Sequence, residues 1–95
     1  MITEIIRYNL AESQRELFVA QYQKAMALVE SSGFAQDWEI LQQVENPDLF
    51  QIIIRWKSVE AHMEGFRRAP EFGDFFALVK PYFNQILEMQ HYAKR

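Results

Sequence analysis

Apolar and polar residues alternate with a period of two along four segments of the chain, and apolar residues recur at helical spacing between them. The alternation predicts strands at residues 2–10, 38–44, 49–56 and 86–92. The second and third strands are separated only by Glu45-Asn46-Pro47-Asp48, whose proline, Asn and Asp are typical of a turn. These two strands are therefore predicted to form a hairpin.

Two helical regions lie between the strands. Ser13 and Glu16 form a capping-box pattern that predicts the start of the first helix, and Ser32-Gly33 supplies its stop. The second region is predicted to begin at a capping Ser58 and to be broken near Ala69-Pro70, because proline restarts rather than continues a helix. The element order is β-α-β-β-α-β.

This order predicts an α+β, ferredoxin-like fold in which one antiparallel sheet carries both helical regions on the same face. The predicted core on that face consists of large side chains: Ile6, Tyr8, Trp38, Ile40, Phe50, Ile52, Ile54 and Trp56. The opposite face places Ile5, Leu41 and Ile53 among polar residues, an apolar strip that a monomer would expose. A homodimer formed through this open sheet face would cover the strip, and a solvated sheet face is the alternative.

Composition narrows the class of protein. A chain of 95 residues without cysteine predicts a single domain over residues 1–95, with no disulfides and no thiolate metal site. The net charge of -3, with basic and acidic residues interspersed, argues against a nucleic-acid partner. Apolar runs such as Ile52–Ile54 are too short to span a membrane, so we expect no membrane partner and a cytoplasmic protein.

Established cofactor and metal motifs are absent. The chain has no Gly-rich phosphate loop, no HExxH and no GxSxG, and this predicts that no cofactor is bound. The two histidines are far apart in the sequence, and neither has a carboxylate at the helical spacing of a ligand pair. On that ground no metal site is predicted.

Aromatic residues are unusually dense, with eight Phe, four Tyr and two Trp. Many fall between the sheet and the helices, and a flat ligand could bind there among Tyr8, Trp38, Trp56 and Phe66. For a helical stripe such as Phe72, Phe75 and Phe76, simple core packing is the commoner outcome.

His62 is the candidate acid or base because it lies on the apolar stripe of the second helical region, six residues after Trp56. A neutral imidazole can take a proton from a phenol or quinol, and the resulting anion can reduce dioxygen without a cofactor. The alternative is a core histidine that is hydrogen-bonded to the backbone. His91, on the last strand, is the weaker candidate.

The segments WKSVEAH at residues 56–62 and RRAPEF at residues 67–72 resemble the strand-to-helix part of the antibiotic-biosynthesis monooxygenase domain. The resemblance implies a dimeric α/β barrel, in which two sheets pack face to face and each subunit has a pocket between sheet and helices. It also implies oxygenation of quinol-like or polyketide-like aromatics by O2 without flavin, haem or metal.

The chain departs from that family at its histidines. Many members have histidines where this chain has Gly65 and Glu71, whereas its own histidine is His62. The helix positions that would hold the Trp and His of the haem-degrading branch carry Gly65 or Phe66 and Phe75 or Phe76, so haem degradation is not predicted.

The predicted function is that of a cofactor-independent monooxygenase acting with O2 on a small aromatic substrate. His62 would abstract a proton, and Tyr8, Trp38, Trp56 and Phe66 would orient the substrate. One alternative is a non-catalytic dimeric-barrel module that binds a hydrophobic metabolite. Another is an isomerase that uses the same base.

Overall fold

The structure, a computed structural model, describes all 95 residues, and its elements follow the predicted order. The strands are β1 (Ile2–Asn9), β2 (Ala35–Gln42), β3 (Leu49–Trp56) and β4 (Ile86–Tyr92), and the α-helices are α1 (Arg15–Ser32) and α2 (Phe72–Val79). Shorter helical turns cover Glu12–Gln14, Ala61–Gly65, Phe66–Arg68 and Lys80–Gln85.

The four strands form one sheet in the order β2-β3-β1-β4, and every neighbouring pair is antiparallel. This arrangement confirms the predicted ferredoxin-like α+β fold. One face of the sheet packs on the helices, and β1 and β3 supply the buried core residues Ile6, Tyr8, Phe50, Ile52, Ile54 and Trp56. Trp38 and Ile40, predicted for the same core, pack against it while staying partly exposed on the edge strand β2.

Two predicted boundaries are wrong by a few residues. Helical turns begin at Glu12 rather than after a capping Ser13, because the Gln14 side-chain oxygen accepts a hydrogen bond from the Ala11 N–H at 3.2 Å. Strand β2 begins at Ala35, three residues earlier than expected. Its pairing with β3 shifts register between Ala35 and Asp37, and this irregularity interrupts the alternation on which the prediction depended.

The second helical region is broken as predicted. The Ser58 hydroxyl caps its start by accepting a hydrogen bond from the Ala61 N–H at 2.9 Å. Ala69 then takes an extended conformation, with ψ 154°, because the ring of Pro70 disfavours a helical conformation in the residue before it. The break separates the turn that carries His62 from α2, so the two pieces present their side chains to the sheet independently.

Gly65 ends the π-helical turn and lies against the ring of Phe34. A methyl group added at Gly65 would come within 2.4 Å of that ring, whereas one added at Gly73 in α2 meets nothing within 4 Å. We expect Gly65→Ala to lower the free energy of unfolding by about 1–3 kcal/mol through overpacking. Gly73→Ala, the control, should leave it unchanged or raise it by about 0.5–1 kcal/mol. Urea denaturation measures both, and equal losses would contradict this packing.

The face of the sheet that bears no helices is mixed in character. Ile5 and Ile53 lie opposite each other in register on β1 and β3 and are only partly buried. Arg55 beside them bonds Asp37 at 2.8 Å and Glu39 at 2.9 Å. In the single chain this face is uncovered and the sheet is open rather than closed into a barrel. No helix has the length and apolar character that a membrane span requires.

Candidate functional site

A cavity of about 240 Å³ lies between the sheet and α2. Nine of its twelve lining residues are hydrophobic, and six of these are aromatic: Tyr8, Tyr22, Phe72, Phe75, Phe76 and Phe83. The three charged or titratable polar residues that line it are Glu4, His62 and Arg67. The cavity is thus an aromatic chamber with acid and base groups on one part of its wall.

The wall formed by Tyr8 and Tyr22 also has polar character. Their hydroxyl oxygens are 2.7 Å apart and buried, so one hydroxyl donates to the other. Burial raises the pKa of Tyr8 to about 12 and that of Tyr22 well above its usual value, which keeps both phenols protonated. The pair has two hydroxyl protons, and the hydrogen bond between the hydroxyls uses only one of them. The other proton can therefore be donated to an oxygen atom of a ligand.

Glu4 is a buried carboxyl group on β1, only 3% exposed, on the face that packs against the helices. Its Oε1 accepts a hydrogen bond from the Trp56 indole N–H at 2.9 Å. Burial raises the pKa of Glu4 from 4.5 to about 7, while the Trp56 hydrogen bond and the charge of Arg67 act in the opposite direction. Near neutral pH this carboxyl group can therefore either hold or accept a proton.

His62 lies on the π-helical turn and is 7% exposed. Its ring stacks on the Trp56 indole, with centroids 4.3 Å apart and planes within 8°, and this contact fixes its orientation. Burial, followed by repulsion from His91 and Arg67, lowers the pKa of His62 to about 4. The imidazole is thus neutral at physiological pH.

Three ionisable side chains from different elements meet beside the cavity, and two of them, Glu4 and His62, line it. Glu4 and His91 are direct cross-strand neighbours on β1 and β4, and His62 lies over them. His62 Nδ1 is 2.8 Å from His91 Nε2, and His62 Nε2 is 3.8 Å from Glu4 Oε1. One atom from each residue lies within 4.8 Å of the others. The two histidines and a carboxylate thus converge in space although they are far apart in the sequence.

The structure brings only part of the predicted pocket together. Tyr8 and His62 line the cavity. Trp56 and Phe66 are fully buried and do not line the cavity. Phe66 packs on the Trp56 ring. Trp56 lies behind the cavity wall, where it contacts the side chains of Glu4 and His62. Trp38 lies away from the cavity on β2, where its indole N–H bonds Glu30 of α1.

Glu4, Tyr22 and Arg67 line the cavity but were not predicted as site residues. Glu4 occupies the apolar face of β1, between Ile2 and Ile6 in the alternation, and an acidic residue at such a position is the one signal that could have identified it. Tyr22 lies among the apolar residues of α1 that face the sheet, and its position in the sequence does not distinguish it from core residues. Arg67 lies in the helical turn Phe66–Arg68, just before the break, and no sequence pattern indicated that it lines the cavity.

The arrangement can bind a flat apolar molecule and exchange a proton with it. Aromatic walls supply most of the contact area, and Glu4 and His62 are the lining groups able to accept a proton at neutral pH. Arg67 lines the same cavity, and its positive charge can stabilise negative charge that develops on the ligand. Two other surface depressions, of about 270 and 340 Å³, contain no histidine.

Comparison with known proteins points to one family. The model of the antibiotic biosynthesis monooxygenase family matches residues 1–78. The match includes Glu4 and His62, whereas His91 lies beyond it. A search of curated proteins finds no significant match.

Solved structures share the fold at low sequence identity. A crystal structure from Bordetella bronchiseptica, provisionally described as an antibiotic biosynthesis monooxygenase, superposes with a TM-score of 0.83 at 22% identity and covers 99% of this chain and 96% of its own. A conserved protein from Methanosarcina mazei Go1 has a TM-score of 0.80 at 17% identity, with 99% and 92% covered. An uncharacterised NIPSNAP domain protein from Burkholderia xenovorans has a TM-score of 0.74 at 14% identity, with 100% and 95% covered. Because the family model covers well over half of the sequence, this chain belongs to the antibiotic biosynthesis monooxygenase family.

Proposed function

We propose that this protein is a monooxygenase that oxygenates a small aromatic substrate with O2 inside the cavity between the sheet and α2. Family membership supports the general reaction class. The observation that carries the finer proposal is the position of Glu4 and His62, two proton acceptors on the wall of an aromatic chamber. A pocket that only stored a hydrophobic ligand would not need them.

The size and lining of the cavity favour a substrate of one or two rings. At about 240 Å³ it is smaller than the roughly 300–1,000 Å³ of pockets that hold drug-sized ligands. Phe72, Phe75 and Phe76 of α2 line the cavity with aromatic rings. The free hydroxyl proton of the Tyr8–Tyr22 pair would bind a phenol or carbonyl oxygen of the substrate.

The proposed reaction begins with proton abstraction by the Glu4–His62 pair from the CH2 group of the keto form of a phenol-like or quinol-like substrate. The substrate anion gives its electron pair to O2 in a new C–O bond, forming a hydroperoxide after protonation. Breaking the O–O bond then leaves a carbonyl in the product and releases water. A CH2 group and O2 thus become C=O and H2O, and the substrate supplies all four electrons.

Oxygen uptake by purified, chelator-treated protein tests this proposal, with a panel of one-ring and two-ring quinols and polyketide-like aromatics as substrates. We expect uptake above the autoxidation blank, an oxygenated product, and loss of that excess in a Glu4→Gln, His62→Gln double variant. Tight binding of a panel member without uptake would contradict the proposal and favour a binding module. Conversion under nitrogen as fast as under air would instead indicate an isomerase.

We further propose that two chains form a homodimer through the face of the sheet that bears no helices. Ile5 and Ile53 form the centre of its apolar strip. Sedimentation should give twice the chain mass of 11.3 kDa for the wild type, and the Ile53→Lys variant should be monomeric because burying a lysine in the interface is unfavourable. Leu17→Lys, on the exposed side of α1, is the control and should stay dimeric. A monomeric wild type would rule out this dimer.

A further inference from the structure

We propose that Glu4, His62 and His91 form a binding site for a divalent transition-metal ion of the zinc class. Each residue offers one ligand atom, and these atoms lie within 4.8 Å of one another. Glu4 and His62 also line the cavity. Two imidazoles and one carboxylate are a donor set that such ions bind readily, whereas Mg²⁺ and Ca²⁺ prefer sites built from oxygen atoms.

The backbone holds the three ligands together. Glu4 and His91 face each other across the β1–β4 ladder, so their side chains leave the sheet side by side on the face that packs against the helices. His62 reaches the same point from the turn above. Around one zinc ion, ligand atoms lie roughly 3–4 Å apart. Side-chain rotations that move the ligand atoms by about an ångström would therefore bring them to coordination distance. His91 would then exchange its hydrogen bond to His62 for a bond to the ion.

The local charge also favours a cation. Glu4 is 3% exposed, and no lysine or arginine forms an ion pair with it; its partners are the Trp56 N–H and, at 3.8 Å, His62. The charge of Arg67 reaches Glu4 only from beyond ion-pair distance, and a bound divalent ion would give the buried carboxylate a positive partner in direct contact.

Trp56 has a supporting position behind two of the three ligands. Its N–H bonds Glu4 Oε1, and its ring stacks on His62. Residues that orient ligands in this way commonly change metal affinity 10- to 100-fold when they are replaced. The cavity on the other side leaves space for water or a small ligand to complete the coordination of the ion.

This site goes beyond the proposed oxygenation and does not depend on it. A bound ion would occupy the same groups that accept the substrate proton, so the ion and the proton are alternatives. Metal binding is measured without substrate. Failure of the metal site would therefore leave the oxygen-uptake result untouched, and failure of oxygen uptake would leave the metal result untouched.

The test is titration of the untagged, metal-free protein with Zn²⁺ by calorimetry and with Co²⁺ by visible absorption, each with Mg²⁺ for comparison. We expect one Zn²⁺ per chain and a Co²⁺ spectrum with nitrogen ligation. Trp56→Phe, which keeps a stacking ring but loses the N–H, should weaken binding by about 10-fold. Glu4→Gln and His91→Ala, which each remove a ligand, should weaken binding more than Trp56→Phe does.

Glu45→Gln is the matched control, since it removes one carboxylate from an exposed turn and should bind Zn²⁺ like the wild type. Circular dichroism of each variant establishes that the fold is retained. The proposal is overturned by an absence of Zn²⁺ binding to the wild type, or by binding that Glu4→Gln and His91→Ala leave unchanged. Equal affinity for Mg²⁺ would overturn it as well.

Discussion

Replacing Glu4 by glutamine is expected to reduce turnover of a true substrate by about 100-fold or more while leaving the fold intact. General base catalysis contributes roughly 10²–10⁴ to a rate, and an amide cannot accept the substrate proton. The amide oxygen can still accept the hydrogen bond from the Trp56 N–H, so the side chain should keep its place. Oxygen-uptake kinetics measure the change.

The matched control for this loss is again Glu45→Gln, which removes a carboxylate from the exposed turn between β2 and β3. Its turnover should equal that of the wild type. The loss in Glu4→Gln should appear in kcat, since the aromatic walls that bind the substrate are unchanged. Full turnover in Glu4→Gln would remove Glu4 from the mechanism and leave His62 as the candidate base.

Trp56→Ala is expected to lower the free energy of unfolding by about 3–5 kcal/mol, the largest stability loss that we predict. The indole is fully buried, stacks on His62 and packs on Phe66. Its removal leaves a cavity in the core and deprives Glu4 of its hydrogen-bond donor. Urea denaturation followed by circular dichroism measures this loss without depending on tryptophan fluorescence.

Trp38→Ala is the control for Trp56→Ala because it removes the same side chain from a partly exposed site. Trp38 lies on the edge strand β2, and its indole N–H bonds Glu30 at the surface. We expect a loss of about 1 kcal/mol, close to the mean for single substitutions. The contacts of Trp56 indicate that the core depends on it. Similar losses in the two variants would contradict that dependence.

Element type and order followed from local patterns, and the structure confirms them. Alternation along β1 and β3 identified the buried face because the side-chain period of a strand is a property of the backbone itself. The hairpin turn at residues 45–48 and the cap at Ser58 are also local, since each involves hydrogen bonds over only a few residues. Boundaries were less accurate where a single side chain or a register shift decided them, as at Gln14 and Asp37.

The candidate site was only partly predictable. Tyr8 and His62 were selected for their residue type and face, and both line the cavity. Trp56 and Trp38 looked equivalent as aromatic residues at strand positions, yet β3 is a central strand and β2 an edge strand. Strand order is a property of the whole sheet, so sequence alone could not separate a buried tryptophan behind the site from a surface one.

By itself, the sequence determined the α+β class, the order of elements and the buried face of the sheet, because these depend on hydrophobic period and turn chemistry between near neighbours. Only the tertiary structure decided which ionisable groups meet. The β1–β4 register places Glu4 opposite His91, and the broken helical region brings His62 over them. Residues so distant in the chain are joined by strand pairing and packing, and no local spacing records those contacts.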